Sequence, residues 1–135
     1  MERMAGEPPT PPSAVIGPDD VRQARQVVNS IYVDEKIKEY VLDIIFATRD
    51  PESAGLKELR PLIEFGASPR ATIYLLKSAK AHAFLRGRGY VTPEDIKQVA
   101  PDVLRHRIVV SFEAEAEEVT SADIIRQLLN HIAVP

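Results

Sequence analysis

The sequence predicts a mainly α fold, a small helical bundle with at most a short two-stranded β element. Three observations lead there. Apolar residues recur at spacings of three and four in five separate segments, the period of a helix with one buried face. Each segment opens on residues that satisfy or complement a helix start: Pro18 with Asp19 and Asp20, Asp34, Ser68 with Pro69, Thr92 with Pro93, and Thr120 with Asp123. Only two short runs, Leu62–Phe65 and Ile108–Phe112, have strand-forming composition. With 135 residues, 44% of them hydrophobic, the chain is one domain's worth of polymer and long enough to bury a core.

Taken in order, residues 1–16 hold four of the eleven prolines and few large apolar groups before Val15 and Ile16. Such a segment cannot offset its ordering entropy by burial, so it reads as a flexible tail or linker left by excision from a longer protein. A first helix is expected over Pro18–Ser30, with Val21, Ala24, Val27, Val28 and Ile31 on one face. Asp34 caps a second helix that lines up Ile37, Val41, Ile44, Ile45 and Thr48 and turns Lys36, Lys38, Glu39, Asp43 and Arg49 outward. Residues 50–67 contain two prolines and two glycines, which no continuous helix tolerates.

Ser68 is then expected as an N-cap, with Pro69 at the first helical position and Arg70 just inside the first turn. This third helix, running to about Arg86, has Ile73, Leu75, Leu76, Ala79, Ala83 and Phe84 in a wide apolar arc and reads as the central helix. Gly87 and Gly89 end it, and Thr92-Pro93-Glu94-Asp95 starts a fourth. Pro101 is expected to interrupt that helix, leaving Asp102–His106 as a separate turn. The run Ile108–Phe112 is suited to pair with Leu62–Phe65 or with Tyr90 and Val91. Glu113–Glu118 reads as an acidic solvated linker. A last helix follows, capped by Thr120 and Asp123, with Ile124, Ile125, Leu128, Leu129 and Ile132 as its apolar face. The domain boundaries that result are 1–16 tail, 17–112 helical domain, 113–119 acidic linker and 120–135 a C-terminal helix packing on the domain.

Several function classes are excluded by composition. The length is too small for a nucleotide-hydrolysing α/β domain, a barrel or a two-domain enzyme. There is no cysteine, hence no disulfide framework, thiolate zinc site or cysteine nucleophile. His82, His106 and His131 lack metal-ligand spacing, so they read as exposed or packing residues. No serine sits in a nucleophile elbow and no G-x-x-x-x-G-K-[ST] loop is present, so the chain alone is not expected to be an enzyme. No stretch has the roughly 20 apolar residues of a spanning helix, and the N-terminus lacks the apolar core of a signal peptide, so a soluble, cytoplasmic protein is expected.

The net charge of -3 argues against a general nucleic-acid or membrane binder. Its distribution is uneven. Residues 68–107 hold 8 basic and 3 acidic side chains, between an N-terminal part with 8 and 12 and a C-terminal part with 1 and 5. The basic centre includes Arg70, Lys77, Arg86, Arg88, Arg105 and Arg107. It lacks the aromatic or arginine-rich recognition helix of a DNA-binding domain. Arg70 is singled out because a helix N-terminus is unfavourable for a cation unless an anion is near, while its free N–H groups favour that anion.

Gly66-Ala67-Ser68-Pro69-Arg70-Ala71 before the long apolar helix, then G-R-G-Y-V-T-P-E-D-I-K, P-D-V-L-R-H-R-I and the earlier Y-V-D-E-K-I-K-E-Y-V, together resemble the C-terminal lid of MoxR-type AAA+ ATPases. The resemblance covers roughly residues 17–112 and rests on four motifs in the family's order. It implies a helical lid packed beside an α/β nucleotide-binding subdomain of the same protein. Arg70 is then the sensor 2 residue reaching the γ-phosphate of ATP, in a turn shaped by Gly66 and Ser68. It also implies ATP with Mg2+ as cofactor of the full-length protein, a ring oligomer, and chaperone-like remodelling or metal insertion in clients that often carry a von Willebrand factor A domain. The family's phosphate loop, metal-binding acids, polar sensor and arginine finger have no counterpart here and are expected upstream of residue 17. The alternative is a stand-alone helical protein-interaction module with no nucleotide role.

Overall fold

A computed structural model describes residues 13–135. The tail expected over 1–16 therefore lies, for residues 1–12, outside the described residues, and 13–16 are exposed coil. Six α-helices follow among the described residues: α1 (Pro18–Ser30), α2 (Glu35–Arg49), α3 (Ala71–Leu85), α4 (Pro93–Leu104), α5 (Phe112–Ala116) and α6 (Ser121–His131). Two short strands, β1 (Ile63–Phe65) and β2 (Val109–Val110), pair antiparallel with Ile63 opposite Val110 and Phe65 opposite Val109. A single turn of 3-10 helix at Lys57–Leu59 breaks the loop before β1.

The caps of α2, α4 and α6 work as the residue types predict. The Asp34 carboxylate accepts from the Lys36 N–H at 2.9 Å. Thr92 with Asp95 and Thr120 with Asp123 form reciprocal capping boxes at α4 and α6. At the end of α3, Gly87 takes a φ of 69°, the left-handed conformation that lets its N–H reach the Phe84 carbonyl and the Arg88 N–H reach that of Ala83. This double closure ends the helix and turns Arg88 back over it.

The core lies between α2, α3, α4 and α6. Tyr40, Ile44 and Ile45 from α2, Leu75 from α3, Ile96 and Leu104 from α4, and Ile124, Ile125 and Leu128 from α6 are almost wholly buried there. The buried stripe of α3 is narrower than its sequence suggests. Ala71, Leu75, Ala79 and Ala83 recur every four residues and are inaccessible, and three of the four are alanines, which lets neighbouring backbones approach closely. Ile73, Tyr74 and Leu85 are exposed. Helix α1 packs on α3 from outside and buries none of its residues fully.

Two local expectations give way to tertiary packing. Pro101 does not break α4, which runs through it to Leu104. Ile96, Ala100 and Leu104 place three fully buried side chains on one face across the proline, and their burial outweighs the one lost hydrogen bond. The acidic run Glu113–Glu118, read as a solvated linker, has all its glutamates exposed, and its first four residues are helical. Ser111 caps α5 there, and Ala114, one of the two alanines among the acids, is fully buried. Of the two partners foreseen for Ile108–Phe112, the segment at Leu62–Phe65 is the one used. Tyr90 bridges instead to Tyr32, tying the α1–α2 and α3–α4 loops together.

Candidate functional site

The turn that carries Gly66, Ser68 and Arg70 leaves β1 and passes over the last turn of α2. Gly66 is required there by a close approach: a Cβ at this position would lie 2.2 Å from the Thr48 carbonyl oxygen and 2.8 Å from the Arg49 Cα. The next residue, Ala67, is buried and bonded through both polar groups. Its N–H donates to the Thr48 hydroxyl at 2.9 Å, and its carbonyl accepts from the Arg49 guanidinium at 3.3 Å. Thr48, itself fully buried, donates its own hydroxyl hydrogen to the Ile45 carbonyl at 2.6 Å.

From Ala67 the chain enters α3. Ser68 is not the N-cap expected for α3: the helix begins at Ala71, Arg70 takes the cap position, and Ser68 lies two residues before it. Its carbonyl accepts from the Ala71 N–H at 2.8 Å and its hydroxyl from the Arg70 N–H at 3.4 Å, so a tight turn precedes the helix proper. Arg70 has helical dihedrals (φ -61°, ψ -19°) and occupies the cap position. Its side chain is exposed and makes no ion pair or hydrogen bond among the described residues. The first turn of α3 has no acid, whereas those of α1, α2, α4, α5 and α6 all have one or two. The first N–H groups of α3 donate within this turn, to Ser68, Pro69 and Arg70, so what remains to attract an anion is an unpaired guanidinium at the positive end of a helix dipole that no acid offsets.

The rest of the basic centre is mostly engaged within the fold. Arg88 pairs with Asp95, Arg105 with Asp102, and Lys80 donates to the Asn29 carbonyl at the end of α1. Arg107 lies over the Tyr74 ring, 4.6 Å from its centre, and donates to the Val103 carbonyl. Arg70, Lys77, Arg86 and Lys97 make no ion pair among the described residues. Lys77 lines a groove of about 730 Å³ between α1 and α3, floored by Val21, Ala24, Val28 and Phe84. Among the described residues no group of three or more His, Cys, Asp or Glu is placed to hold a metal ion, and no helix is long and apolar enough to cross a membrane.

One buried polar centre escaped the sequence reading. Asp95, inaccessible at the start of α4, accepts from Arg88 at 2.7 and 2.5 Å and from the Thr92 N–H and hydroxyl at 2.8 and 2.9 Å, and lies 2.7 Å from His82 Nδ1. Burial pushes its carboxyl up. The hydrogen bonds from Arg88, Thr92 and His82 together outweigh that and hold it well below the usual carboxylate range. The signal available was the T-P-E-D capping box with a histidine and an arginine thirteen and seven residues ahead. Spacing alone does not reveal that the α3 C-terminal turn folds Arg88 back onto that carboxylate.

Comparison with known proteins agrees with this architecture. The AAA lid domain family matches residues 58–128, so α5 and most of α6 belong to the lid. The chain is 37% identical over 128 residues to the chaperone MoxR1 of Mycobacterium tuberculosis, covering 93% of this chain and 34% of that protein. It is 30% identical over 118 residues to the protein MoxR of Methylorubrum extorquens, covering 83% and 34%. A crystal structure from Cytophaga hutchinsonii, classed as an ATPase, superposes with a TM-score of 0.84 at 42% identity, covering 87% of this chain and 36% of that one. The chain thus spans about a third of the length of the proteins it matches. With the helical architecture and the motif order in agreement, the chain belongs to the AAA lid domain family, as the lid of a MoxR-type AAA+ ATPase.

Proposed function

We propose that this lid senses ATP through Arg70, the sensor 2 position, and couples hydrolysis in an adjoining nucleotide-binding subdomain to chaperone-like work on client proteins. One observation carries the reading: an exposed guanidinium with no anionic partner stands at an acid-free helix N-terminus, in a turn whose preceding residue is tied at both polar groups to α2. The residues fit a terminal phosphate, which supplies the negative charge the site lacks. In such a contact the guanidinium neutralises charge on the γ-phosphate and holds the lid against it. When the phosphate leaves, that attraction ends and the lid is free to move. Mg2+ would be held by the nucleotide-binding subdomain and the phosphates, with no ligand from this lid. Ring assembly, metal insertion and clients with a von Willebrand factor A domain belong to the same proposal, by family resemblance.

The test is ATP turnover by the longer ATPase carrying Arg70→Ala. Loss of one charge-assisted contact to the reacting phosphate, worth about 1.5–3 kcal/mol, is expected to lower turnover by about ten- to a hundredfold. Unchanged turnover would sink the assignment. A second reading, a protein-interaction module with no nucleotide role, is favoured by the α1–α3 groove, where Ile16 and Val21 remain exposed beside Lys77 and Lys80. It predicts that Arg70→Ala is silent and that Val21→Glu is not.

A further inference from the structure

We infer that Thr48 is a positioning residue for Arg70, acting through Ala67, with Arg49 as its second support. The inference rests on the reading of Arg70 as the phosphate contact. A threonine on the buried face of α2 is at first sight a packing residue, occupying a position that valine fills equally well by shape. Its hydroxyl is instead fully committed, donating to Ile45 and accepting the Ala67 N–H. Arg49, the next residue, holds the Ala67 carbonyl. Gly66 lets the two backbones meet, since any side chain there would strike the Thr48 carbonyl.

The last turn of α2 thereby grips both polar groups of a residue three positions before Arg70. Beyond it, the Ser68 and Pro69 carbonyls already accept from Ala71 and Thr72, so little freedom remains between the grip and the start of α3. Small displacements of a group that must meet a reacting phosphate are costly, about a hundredfold in rate for roughly 1 Å. A hydroxyl that only satisfied a buried amide would affect stability and leave turnover per folded molecule unchanged.

The experiment is a double-mutant cycle in the ATPase that carries this lid, with ATP turnover measured for Thr48→Val, Thr48→Ser, Arg49→Gln, Arg70→Ala and Thr48→Val with Arg70→Ala. Thr48→Val is expected to lower kcat about tenfold with KM for ATP within about twofold, and Thr48→Ser, which keeps the hydroxyl, to restore it. In the Arg70→Ala background the same substitution is expected to add less than about twofold, because its effect passes through the arginine. Arg49→Gln, at an exposed side chain, is expected to lower kcat about threefold and decides the matter where Thr48→Val does not fold. In this chain alone, hydrogen exchange at the Ala67 amide should quicken about tenfold in Thr48→Val, equivalent to about 1.4 kcal/mol. Wild-type kcat in folded Thr48→Val and in Arg49→Gln, or losses that multiply with Arg70→Ala, overturn the positioning role and leave Arg70 standing. A silent Arg70→Ala removes the reading of Arg70 and this inference with it.

Discussion

Replacing Asp95 by asparagine tests how α3 and α4 are locked. The substitution keeps shape and removes one charge from a buried centre where the carboxylate accepts from the two terminal guanidinium nitrogens of Arg88 and both donors of Thr92, with His82 alongside. An asparagine has one acceptor atom where aspartate has two. Because Arg88 donates to both oxygens, either orientation of the amide sets an NH₂ group against an Arg88 N–H. Removing one partner of a buried ion pair costs about 3–5 kcal/mol, and asparagine retains part of the hydrogen bonding, so about 3 kcal/mol is expected. For a domain of this size that is about 10 °C in Tm. The pH dependence has a definite sign. The folded carboxyl lies below its ordinary value, so the unfolded state binds more protons in the acid range, and the contribution is complete above about pH 4 and declines as pH falls further. The substituted amide does not titrate, so the gap between the two proteins should be full at pH 7 and shrink by up to about 1.4 kcal/mol per pH unit below about pH 4. Urea unfolding followed by circular dichroism at pH 7 and pH 3 measures both. A loss under about 0.5 kcal/mol at pH 7, the range of an ordinary surface change, or a gap that widens on acidification would refute the reasoning.

Other substitutions probe the rest of the fold. Gly66→Ala forces a backbone shift at the α2 contact and should cost at least about 2 kcal/mol in urea unfolding, with loss of exchange protection at the Ala67 amide. Ile125→Ala, in the helix that follows the acidic run, should cost about 3 kcal/mol, which a merely appended helix would not show in global unfolding. Thr120→Ala removes the α6 cap and should lower stability by about 1 kcal/mol, with the loss recovered by Thr120→Ser.

The helix starts were legible because caps and first-turn prolines act over three residues, so Asp34, Thr92 and Thr120 announce α2, α4 and α6 locally. The pairing of β1 with β2 was open between two partners, since strand composition does not specify which neighbour the helices bring close. Pro101 misled because a proline disfavours helix locally, while the burial of Ala100 and Leu104 on either side of it is a property of the whole fold; Glu113–Glu118 was read from its charge alone, although alanine and glutamate both favour helix. At the site, Gly66, Ser68 and Arg70 stood out as a motif, and the charge mismatch at Arg70 followed from helix electrostatics alone. What the sequence hid was the support beneath it. Thr48 fits an apolar stripe by spacing, and only the approach of Ala67 across nineteen positions reveals what its hydroxyl does. The basic centre looked like one patch in the linear sequence, yet Arg88, Arg105 and Arg107 are occupied within the fold.

The claim that Arg70 reads the γ-phosphate is tested most directly by comparing the affinities of a non-hydrolysable ATP analogue and of ADP for the longer ATPase, with and without Arg70→Ala. The account predicts that the substitution weakens the triphosphate by about tenfold, one charge-assisted contact, and leaves ADP unchanged. Equal weakening of both nucleotides, or no change in either, would contradict it.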